Sequence, residues 1–465
     1  MVTSDSGFVK ISPLNNAPMG DVNSASSEHI HSVVAVARQA FEGWRNTPIE
    51  QRGRIIRRAS QDLEERADEV AALVREETGK PTLTSLGEVA AASEMGFLIS
   101  SLGRHPYGTL VPSAVANRQI RVERIPLGVA ALIVSYNTPL PNYAWKVFPA
   151  LMAGNTAILK PSPHTPLSAQ LFFEILHDAG IPRDVFHIVQ GGAEVAQTLI
   201  SAGVDLVSFT GSYGAGYEVA QSAAQTLTKT ILELGGSNPM IVCADSDLDK
   251  AAAAALDSAF SNAGQRCASA SRLLIEDSIY EEFRRALVHQ ANKLVWGTDD
   301  TVDVSTLIDT DSADAHRDFL RQCERSGALV TLVGAPDPSG ESSAASVQPA
   351  LIEGLDPRSA LATREIFAPA TRLFRFSSAE EAIDIANSSE FGLTAAVWSS
   401  NIAMAERIVA KLQAGVVNIN GPTHGAEINI PFGGLKNSGN GTRDAGVNAV
   451  DQYSEVHVVS TFFGA

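Results

Sequence analysis

Basic residues are scarce in this chain. Of its 465 residues, 35 are lysine or arginine and 52 are aspartate or glutamate, which gives a formal net charge of −17. Proteins that bind nucleic acid neutralise phosphates with a basic stripe, whereas the densest basic stretch here, 52–58, lies among acidic residues on a predicted solvated helix. The composition therefore argues against a nucleic-acid partner.

Long hydrophobic runs are missing as well. The apolar stretch 128–134 has only the length of a strand, while a membrane-spanning helix needs about 18 or more apolar residues. The segment 1–5 carries no basic residue and no apolar segment follows it, so no secretory signal is predicted. We therefore expect no membrane partner and a soluble, cytoplasmic protein.

Cysteine is rare, with three residues at Cys243, Cys267 and Cys323. They cannot build a disulfide framework and lack metal-finger spacing, and the histidines are scattered, so we predict a reducing compartment and no metal site. Packing is the better interpretation for Cys243, which ends a buried-strand pattern, and for Cys323, which lies on a predicted helix. Cys267 stays open between a small core residue and a nucleophile, because a helix terminus can lower a thiol pKa.

What remains is the composition of a globular protein, 45% apolar and 19% charged, with a length that predicts two or three domains. Helical patterns alternate with short β-branched runs, which predicts an α/β fold with parallel sheets. Helical periodicity is clearest at 28–46, 50–78, 167–179, 193–202, 215–226, 247–263, 278–294, 311–326, 378–388 and 401–413. Strand-like runs lie at 129–134, 156–159, 185–189, 205–209, 229–232, 239–242, 271–275, 328–333, 372–376, 394–398 and 415–419.

Three further segments have recognisable patterns. The stretch 107–128 has the pattern of an exposed hairpin, and 450–463 alternates like a strand. Two exposed strands far apart in sequence suggest pairing with each other or across a subunit boundary. The turn-rich stretch 334–346 is predicted to be a surface loop.

Two loops after predicted strands could bind a phosphate or a ribose. Gly211 and Ser212 precede a helix, where glycines allow a tight turn and free N–H groups bind anions, although the glycine spacing is not G-x-G-x-x-G. Lys160 ends a strand at the edge where open α/β sheets bind ligands. The competing interpretations are a structural turn and a solvated lysine.

Two polar residues at other strand ends could take part in catalysis. Glu233 precedes a double glycine and could be a general base, or a solvated strand-end acid. Asn137 follows the strand 129–134, and its amide could stabilise an oxyanion, a contribution worth roughly 3 kcal/mol. Ordinary turn chemistry is the alternative for the asparagine.

Taken in order, eight motifs resemble those of the aldehyde dehydrogenase superfamily, and the resemblance covers nearly the whole chain. Each is weak alone, but their shared order and spacing are specific. They are the asparagine loop 135–139, Lys160-Pro161-Ser162, Phe209-Thr210-Gly211-Ser212, Glu233-Leu234-Gly235-Gly236, Gly264-Gln265-Arg266-Cys267, residues 365–369, Asn387 with 391–393, and residues 431–439.

The resemblance implies nicotinamide-dependent oxidation of an aldehyde to a carboxylic acid. It implies that Cys267 attacks the aldehyde as a thiolate and that Asn137 and the Cys267 backbone N–H hold the oxyanion. Glu233 is implied to activate the water that hydrolyses the resulting thioester. A cofactor-free cysteine hydrolase or esterase would need a histidine partner, which no sequence feature nominates. Glu233 argues against the CoA-acylating branch, and a silent member of the family would have lost Cys267 or Glu233.

The resemblance also implies which residues contact the cofactor. Lys160 and Glu365 match the positions that hold the riboses, and Ser212 matches a pyrophosphate contact. The full implied set is Lys160, Ser162, Gly211, Ser212, Leu234, Glu365 and Phe367. NAD is expected, but Pro163 stands where NAD-selective members carry an acid, so NADP stays open.

The implied substrate pocket contains Tyr136, Tyr143, Arg266, His424 and Phe432. For Arg266 we favour a structural ion-pair role that faces away from the pocket; the alternative is a contact to a substrate carboxylate or sulfonate. Asp444 appears one residue later than the family's proton-relay acid, which leaves its role open. The substrate could be a semialdehyde or an aromatic aldehyde.

The family fold predicts three parts. These are a dinucleotide-binding domain at 1–107 and 129–234, a catalytic domain at 235–440, and an oligomerisation extension at 108–128 and 441–465. Edge pairing by the extension predicts a homodimer or homotetramer.

Overall fold

The computed structural model describes residues 7–105, 108–340 and 343–464. The segment 1–5, Tyr107 of the predicted hairpin, and residues 341–342 of the predicted loop lie outside the described residues. The strands, in chain order, are β1 Phe8–Ile11, β2 Pro18–Val22, β3 Gly108–Val111, β4 Arg118–Pro126, β5 Val129–Ile133, β6 Thr156–Lys160, β7 Phe186–Ile188, β8 Leu206–Thr210, β9 Lys229–Glu233, β10 Asn238–Val242, β11 Ala270–Glu276, β12 Val295–Trp296, β13 Leu329–Leu332, β14 Ala335–Pro336, β15 Ala350–Glu353, β16 Ala370–Phe376, β17 Phe391–Gly392, β18 Thr394–Trp398, β19 Val416–Ile419, β20 Leu435–Lys436 and β21 Ser454–Phe462. The α-helices, in chain order, are α1 Ser27–Arg45, α2 Ile49–Glu65, α3 Ala67–Thr78, α4 Thr82–Ser101, α5 Pro139–Ala153, α6 Pro166–Asp178, α7 Ala193–Ser201, α8 Tyr213–Ala224, α9 Leu248–Phe260, α10 Tyr280–Ala291, α11 Thr310–Arg325, α12 Ala360–Thr363, α13 Ala379–Asn387, α14 Ile402–Val409 and α15 Ala449–Gln452.

A five-stranded parallel sheet carries many of the predicted site residues. Its strands lie in the order β7-β6-β5-β8-β9, so the chain builds the sheet outwards from β5, first on one side and then on the other. The registers align the strand ends, because Ile133 of β5 pairs with both Lys160 of β6 and Phe209 of β8. In the next pair, Thr210 lies opposite Glu233 of β9. The residues after β5, β6, β8 and β9 therefore share the carboxyl edge, where α/β sheets bind ligands.

The second large sheet has seven strands, in the order β13-β15-β16-β11-β10-β18-β19. It is parallel except for β13, which runs antiparallel to β15. Strands β10 and β18 are buried along their whole length, as expected when helices cover both faces of a parallel sheet. The predicted α/β class with parallel sheets is confirmed, although β15 was absent from the predicted strands.

The three-stranded antiparallel sheet has the order β21-β4-β3. Its β3 and β4 form the hairpin that the sequence predicts. The C-terminal strand β21 pairs with β4 from Ser454 opposite Pro126 to Phe462 opposite Arg118. The predicted pairing between the two distant exposed segments is therefore confirmed within a single chain.

The long helices differ from the sequence prediction in three places, and the four-residue helices α12 and α15 were also absent from it. The predicted helix 50–78 is interrupted at Arg66, which separates α2 from α3. Helices α4 and α5 were absent from the prediction. Both pack into the core beneath the five-stranded sheet. Helix α5 is buried on nearly all sides, and the buried face of α4 includes Ser85, Glu88 and Ser93, so neither shows the one-sided apolar stripe that marks a surface helix. In the parts of the chain that the structure describes, we find no helix with the length and apolarity needed to cross a bilayer.

Candidate active site

A cavity of about 670 Å³ lies where the two large sheets meet. Its wall contains residues that follow β5, β8 and β9, and residues that precede β11 and β16. The carboxyl edge of the five-stranded sheet thus faces the amino edge of the seven-stranded sheet. The predicted site residues in the wall are Tyr136, Asn137, Gly211, Ser212, Glu233, Leu234, Arg266, Cys267, Glu365, Phe367, His424 and Phe432.

Two buried donors fix the backbone of Asn137. The Lys80 ammonium, from the loop before α4, donates to the Asn137 carbonyl and also forms an ion pair with Glu88 of α4. The Asn262 side chain, from the segment before Cys267, donates to the same carbonyl at 3.1 Å. The asparagine loop is therefore tied to α4 and to the cysteine segment at once.

The turn that carries Cys267 has a constrained backbone. Asn262, Ala263 and Gly264 all have left-handed φ angles, between +53° and +69°. Such angles cost a non-glycine residue of order 1–3 kcal/mol and persist only where surrounding contacts enforce them. After the turn, the Asn238 amide donates to the Cys267 carbonyl at 2.7 Å. These constraints place the partly buried thiol in the cavity wall.

The Cys267 thiol is electrostatically unfavourable as an anion in the protein alone. Burial raises the pKa of Cys267 to about 12, with further contributions from Glu365 and Glu233, and Arg266 opposes the shift. A free thiol has a pKa of about 8.5. At neutral pH the thiol is therefore protonated, and forming the thiolate requires a nearby base or a change of surroundings when ligands bind.

Glu233 lies at the end of β9 and is 4% exposed. Neither carboxylate oxygen has a hydrogen-bond partner among the described residues. Burial, reinforced by the charge of Asp444, raises the pKa of Glu233 well above its usual range, while Lys146 opposes the shift. A carboxyl group of this kind can take a proton near neutral pH, as general bases do.

Asp444 is a buried partner of the site despite its displaced sequence position. Its carboxylate forms an ion pair with Lys146 of α5 at 2.6 Å. Its backbone exchanges two hydrogen bonds of 2.8 Å with Phe432. This bridge carries Asp444 into the cavity wall beside Glu233.

The residues predicted to hold the riboses are both buried. The Lys160 ammonium donates to the carbonyls of Pro161 and Gly191 at 2.8 and 2.7 Å, and burial lowers the pKa of Lys160 to about 8. Glu365 accepts from the Gly236 N–H at 3.1 Å, and burial raises the pKa of Glu365 to about 7. Ser162 is also buried, at the end of β6, and lies with Lys160 outside the cavity wall.

The start of α8 fits an anionic group. Ser212 caps this helix through its hydroxyl, which accepts from the Ala215 N–H at 3.4 Å. The remaining N–H groups of the first turn have no acceptor within the helix, and Gly211, Ser212 and Leu234 line the cavity. Together with Lys160 and Glu365, this helix start matches the donor and acceptor set that a dinucleotide requires.

The remaining wall is partly aromatic. Tyr136 makes edge contacts with Phe367 and His164, with ring centroids 6.0 and 5.2 Å apart. Phe432 packs against Trp145 at 5.9 Å. These rings give one side of the cavity an apolar surface.

Two expectations about the substrate pocket are corrected. Tyr143 is fully buried in the core, where its hydroxyl bonds to Thr165 and its ring packs on Phe172; it lies outside the cavity wall because α5 turns it towards α6. Arg266, which we expected to face away, lines the cavity and forms no ion pair with any described residue.

Sequence reasoning missed Lys80, Glu88, Lys146 and Asn262. Lys146 had a visible signal, since it is the only charge in the otherwise apolar and uncharged stretch 139–153. Lys80 and Glu88 had none, because a lysine and a glutamate eight residues apart are also typical of a solvated surface. No metal-binding group of three or more His, Cys, Asp or Glu side chains occurs in the described residues.

The sequence model of the aldehyde dehydrogenase family matches residues 1–459. The chain belongs to the aldehyde dehydrogenase family. An NADP/NAD-dependent aldehyde dehydrogenase of Escherichia coli is 35% identical, covering 97% of this chain and 92% of that protein. The α-ketoglutaric semialdehyde dehydrogenase of Bacillus subtilis is 32% identical, covering 96% of this chain and 92% of that protein.

Solved structures of aldehyde dehydrogenases share the architecture along the whole chain. A betaine aldehyde dehydrogenase of Staphylococcus aureus in complex with NAD⁺ superposes with a TM-score of 0.94 at 29% identity, covering 99% of this chain and 92% of that chain. An NAD-dependent aldehyde dehydrogenase of Sinorhizobium meliloti gives a TM-score of 0.94 at 30% identity, with the same coverages. The family assignment from sequence and the fold therefore agree.

Proposed function

We propose that this aldehyde dehydrogenase oxidises an aldehyde to the carboxylic acid with NAD(P)⁺, through a covalent adduct on Cys267. The observation that supports the proposal is the convergence of Cys267, Asn137 and Glu233 on one cavity. They supply a nucleophile, an amide donor for an oxyanion, and a buried carboxylate base.

In the first step, the Cys267 thiol gives its proton to solvent through Glu233, the thiolate sulfur forms a C–S bond to the aldehyde carbon, and the carbonyl oxygen becomes an oxyanion. The Asn137 amide and the Cys267 backbone N–H are the proposed donors to this oxyanion. When bound, NAD(P)⁺ would supply the hydride acceptor for oxidation of this adduct to a Cys267 thioester. Water then attacks the thioester, Glu233 takes a proton, the C–S bond breaks, and the acid is released. The balance is one aldehyde, one NAD(P)⁺ and one water consumed for one acid, one NAD(P)H and one proton.

The Glu233 environment supports its role as the base. A carboxylate without hydrogen-bond partners is free to accept from water. The buried Lys146–Asp444 pair acts on it with opposite charges, and we propose that this pair sets the basicity of Glu233.

The cofactor residues support NAD(P)⁺ binding. Lys160 and Glu365 would hold the riboses, and Ser212 with the α8 start would hold the pyrophosphate. Ser162, Gly211, Leu234 and Phe367 complete the proposed contacts. Pro163 offers no carboxylate to repel a 2′-phosphate, so we propose use of NADP as well as NAD.

Turnover of aldehydes by Cys267→Ala tests the proposal. With NAD⁺ and NADP⁺ supplied separately, we expect reduced-nicotinamide formation by the parent and a loss of at least about 1,000-fold in the variant, since removing a covalent nucleophile removes the pathway. Cys323→Ala, a buried cysteine of α11 outside the cavity, is the matched control.

Three outcomes would contradict the mechanism. The first is retained dehydrogenase activity in Cys267→Ala. The second is hydrolysis of esters with no NAD(P)⁺-dependent turnover of any aldehyde. The third is a strict requirement for CoA with a thioester product. The last two would identify a cysteine hydrolase and a CoA-acylating enzyme.

Assembly and location follow from the same reasoning. We propose the division into domains at 1–107 with 129–234, at 235–440, and an extension at 108–128 with 441–465, in which the extension joins subunits of a homodimer or homotetramer. We propose a cytoplasmic, reducing location, because an oxidised Cys267 would be inactive.

A further inference from the structure

The charges around the cavity do not balance locally. The acidic, basic and imidazole side chains in its wall are Glu88, Glu233, Arg266, Glu365, His424 and Asp444. Each of these groups except Arg266 is either paired with an opposite charge or buried in a way that favours its neutral form. The next steps treat them in turn.

Two of the carboxylates are neutralised by buried lysines. Glu88 pairs with Lys80, and Asp444 pairs with Lys146 at 2.6 Å. Each pair has no net charge, whether the shared proton is on the lysine or on the carboxylate. The His424 ring lies 3.1 Å from the Asp257 carboxylate, so a proton on this ring is also offset.

The other two carboxylates are poorly suited to be anions. Burial raises the pKa of Glu233 well above its usual range and that of Glu365 to about 7. Burial thus favours the neutral form of each carboxyl group, and neither forms an ion pair with Arg266 among the described residues. Among the described residues of the cavity wall, Arg266 is thus the side chain whose positive charge has no counter-charge.

Arg266 has no ion-pair partner among the described residues, and its buried Nε has no hydrogen-bond acceptor there. The side chain is partly buried in the cavity wall, directly before the nucleophile in sequence. A buried N–H donor without an acceptor destabilises the folded protein. Its position is explained if a ligand anion supplies the missing acceptor.

We propose that Arg266 binds a carboxylate at the far end of the aldehyde substrate, so that the enzyme acts on short semialdehydes. This proposal rests on the proposed function, since it assigns the substrate class of the same site. The planar guanidinium fork matches a carboxylate with two parallel hydrogen bonds.

The covalent chain limits the length of such a substrate. Arg266 and Cys267 are consecutive, so their Cα atoms are about 3.8 Å apart, and the anion site cannot lie far from the attacked carbon. A semialdehyde with a few carbons between its two functional groups fits this constraint. A cationic aldehyde would meet an uncompensated positive charge, and an aromatic aldehyde would leave the guanidinium unpaired.

The test compares two four-carbon aldehydes, succinate semialdehyde and butanal, in the parent and in Arg266→Gln. The measured quantity is the ratio of the two kcat/KM values, in which any general effect on the nucleophile cancels. We expect the parent to favour succinate semialdehyde and the variant to lower the ratio about 100-fold, the effect of removing one partner of a buried charge pair. Arg266→Lys, which keeps the charge but not the fork, should lower it less.

Two controls keep the test decisive. Arg285→Gln removes an exposed arginine of α10 far from the cavity and should leave the ratio unchanged. Succinate binding measured by calorimetry, without turnover, should weaken in Arg266→Gln even if catalysis is impaired. If the parent and Arg266→Gln turn over both aldehydes with the same ratio of kcat/KM values, the proposed contact between Arg266 and the substrate carboxylate is wrong, and the proposed function still stands. Turnover of neither aldehyde by a parent that still oxidises another aldehyde with NAD(P)⁺ would overturn the semialdehyde assignment and leave the proposed function standing.

Discussion

At the scale of single residues, the candidate site is marked by buried polar atoms without partners. Both Glu233 oxygens, the Arg266 Nε and the Asn262 Oδ1 have no hydrogen-bond partner among the described residues. Such atoms are uncommon in folded proteins because each costs about 1–3 kcal/mol. Glu233 and Arg266 line the cavity, where their unpartnered atoms can meet water and ligand groups.

Gly433 provides a test of the Glu233 position at this scale. Its φ is +153°, and a Cβ there would lie 2.7 Å from the Glu233 Oε1 and 2.7 Å from the Arg443 Cδ. Gly433→Ala must therefore displace the carboxylate. Since a shift of about 1 Å can cost about 100-fold, we expect kcat to fall by that order, with a rapid first turnover of cofactor because hydrolysis is the impaired step. Stopped-flow absorbance of the reduced cofactor measures both phases.

The control for this substitution is Gly441→Ala. Gly441 also has a left-handed φ, +94°, but no atom lies within 4 Å of its Cβ position. It therefore matches the backbone strain without the clash. Equal losses in the two variants would show that strain, rather than Glu233, limits turnover.

At the scale of elements, α11 carries a group that should make stability depend on pH. His316 of this helix is 3% exposed, and burial lowers the pKa of His316 to about 4. The unfolded chain has a histidine pKa of about 6.5, so it binds the proton more tightly than the folded chain. The contribution of the neutral ring is complete above pH 6.5 and is lost as the pH falls towards 4.

From this residue we expect the free energy of unfolding to be about 2 kcal/mol lower at pH 5 than at pH 8. Urea unfolding midpoints at the two values measure the difference. His316→Gln should reduce the pH dependence by that amount, whereas His289→Gln, an exposed histidine of α10, should not. Identical slopes in the parent and His316→Gln would refute the assignment.

Short strands were predictable from sequence even where both of their faces are buried, because each is an apolar, β-branched run bounded by turn residues. Strands β5, β6, β8, β9, β10 and β18 were all found within about one residue of their observed ends. Helices α4 and α5 were not, because neither has the contrast between an apolar and a polar face that marks a helix in sequence. Helix α5 is buried on nearly all sides, and α4 buries Ser85 and Glu88 while it exposes Leu83. Local pattern therefore locates short apolar strands and amphipathic helices, and it misses helices whose faces do not differ in polarity.

The site was predictable to the extent that its residues sit in motifs next to the ends of strands or helices. Asn137, Glu233 and Cys267 follow this rule and line one cavity. The contacts that hold them come from distant segments, as when Lys80 and Asn262 reach the Asn137 carbonyl. Tyr143 and Arg266 were misplaced for the same reason, since a side-chain direction depends on packing that no local pattern records.

At the scale of the whole molecule, the three-stranded sheet β21-β4-β3 is the part least covered by the chain itself. Val456, Val458 and Phe462 of β21 are 52–57% exposed, and Leu110 of β3 is 69% exposed. Both outer strands are sheet edges. Exposed sheet edges with apolar side chains tend to associate with other chains unless another surface covers them. We therefore expect subunits to join through this sheet.

The double substitution Val456→Asp and Val458→Asp tests this expectation. The two residues are separated by one position in β21 and therefore lie on the same face of the strand. Buried charges without partners disfavour an interface strongly, so we expect the variant to have a smaller mass than the parent dimer or tetramer in light scattering after size-exclusion chromatography. Leu227→Asp changes a residue that is 93% exposed outside this sheet and should leave the mass unchanged. A monomeric parent, or a double variant with the parent's mass, would show that this sheet does not join subunits.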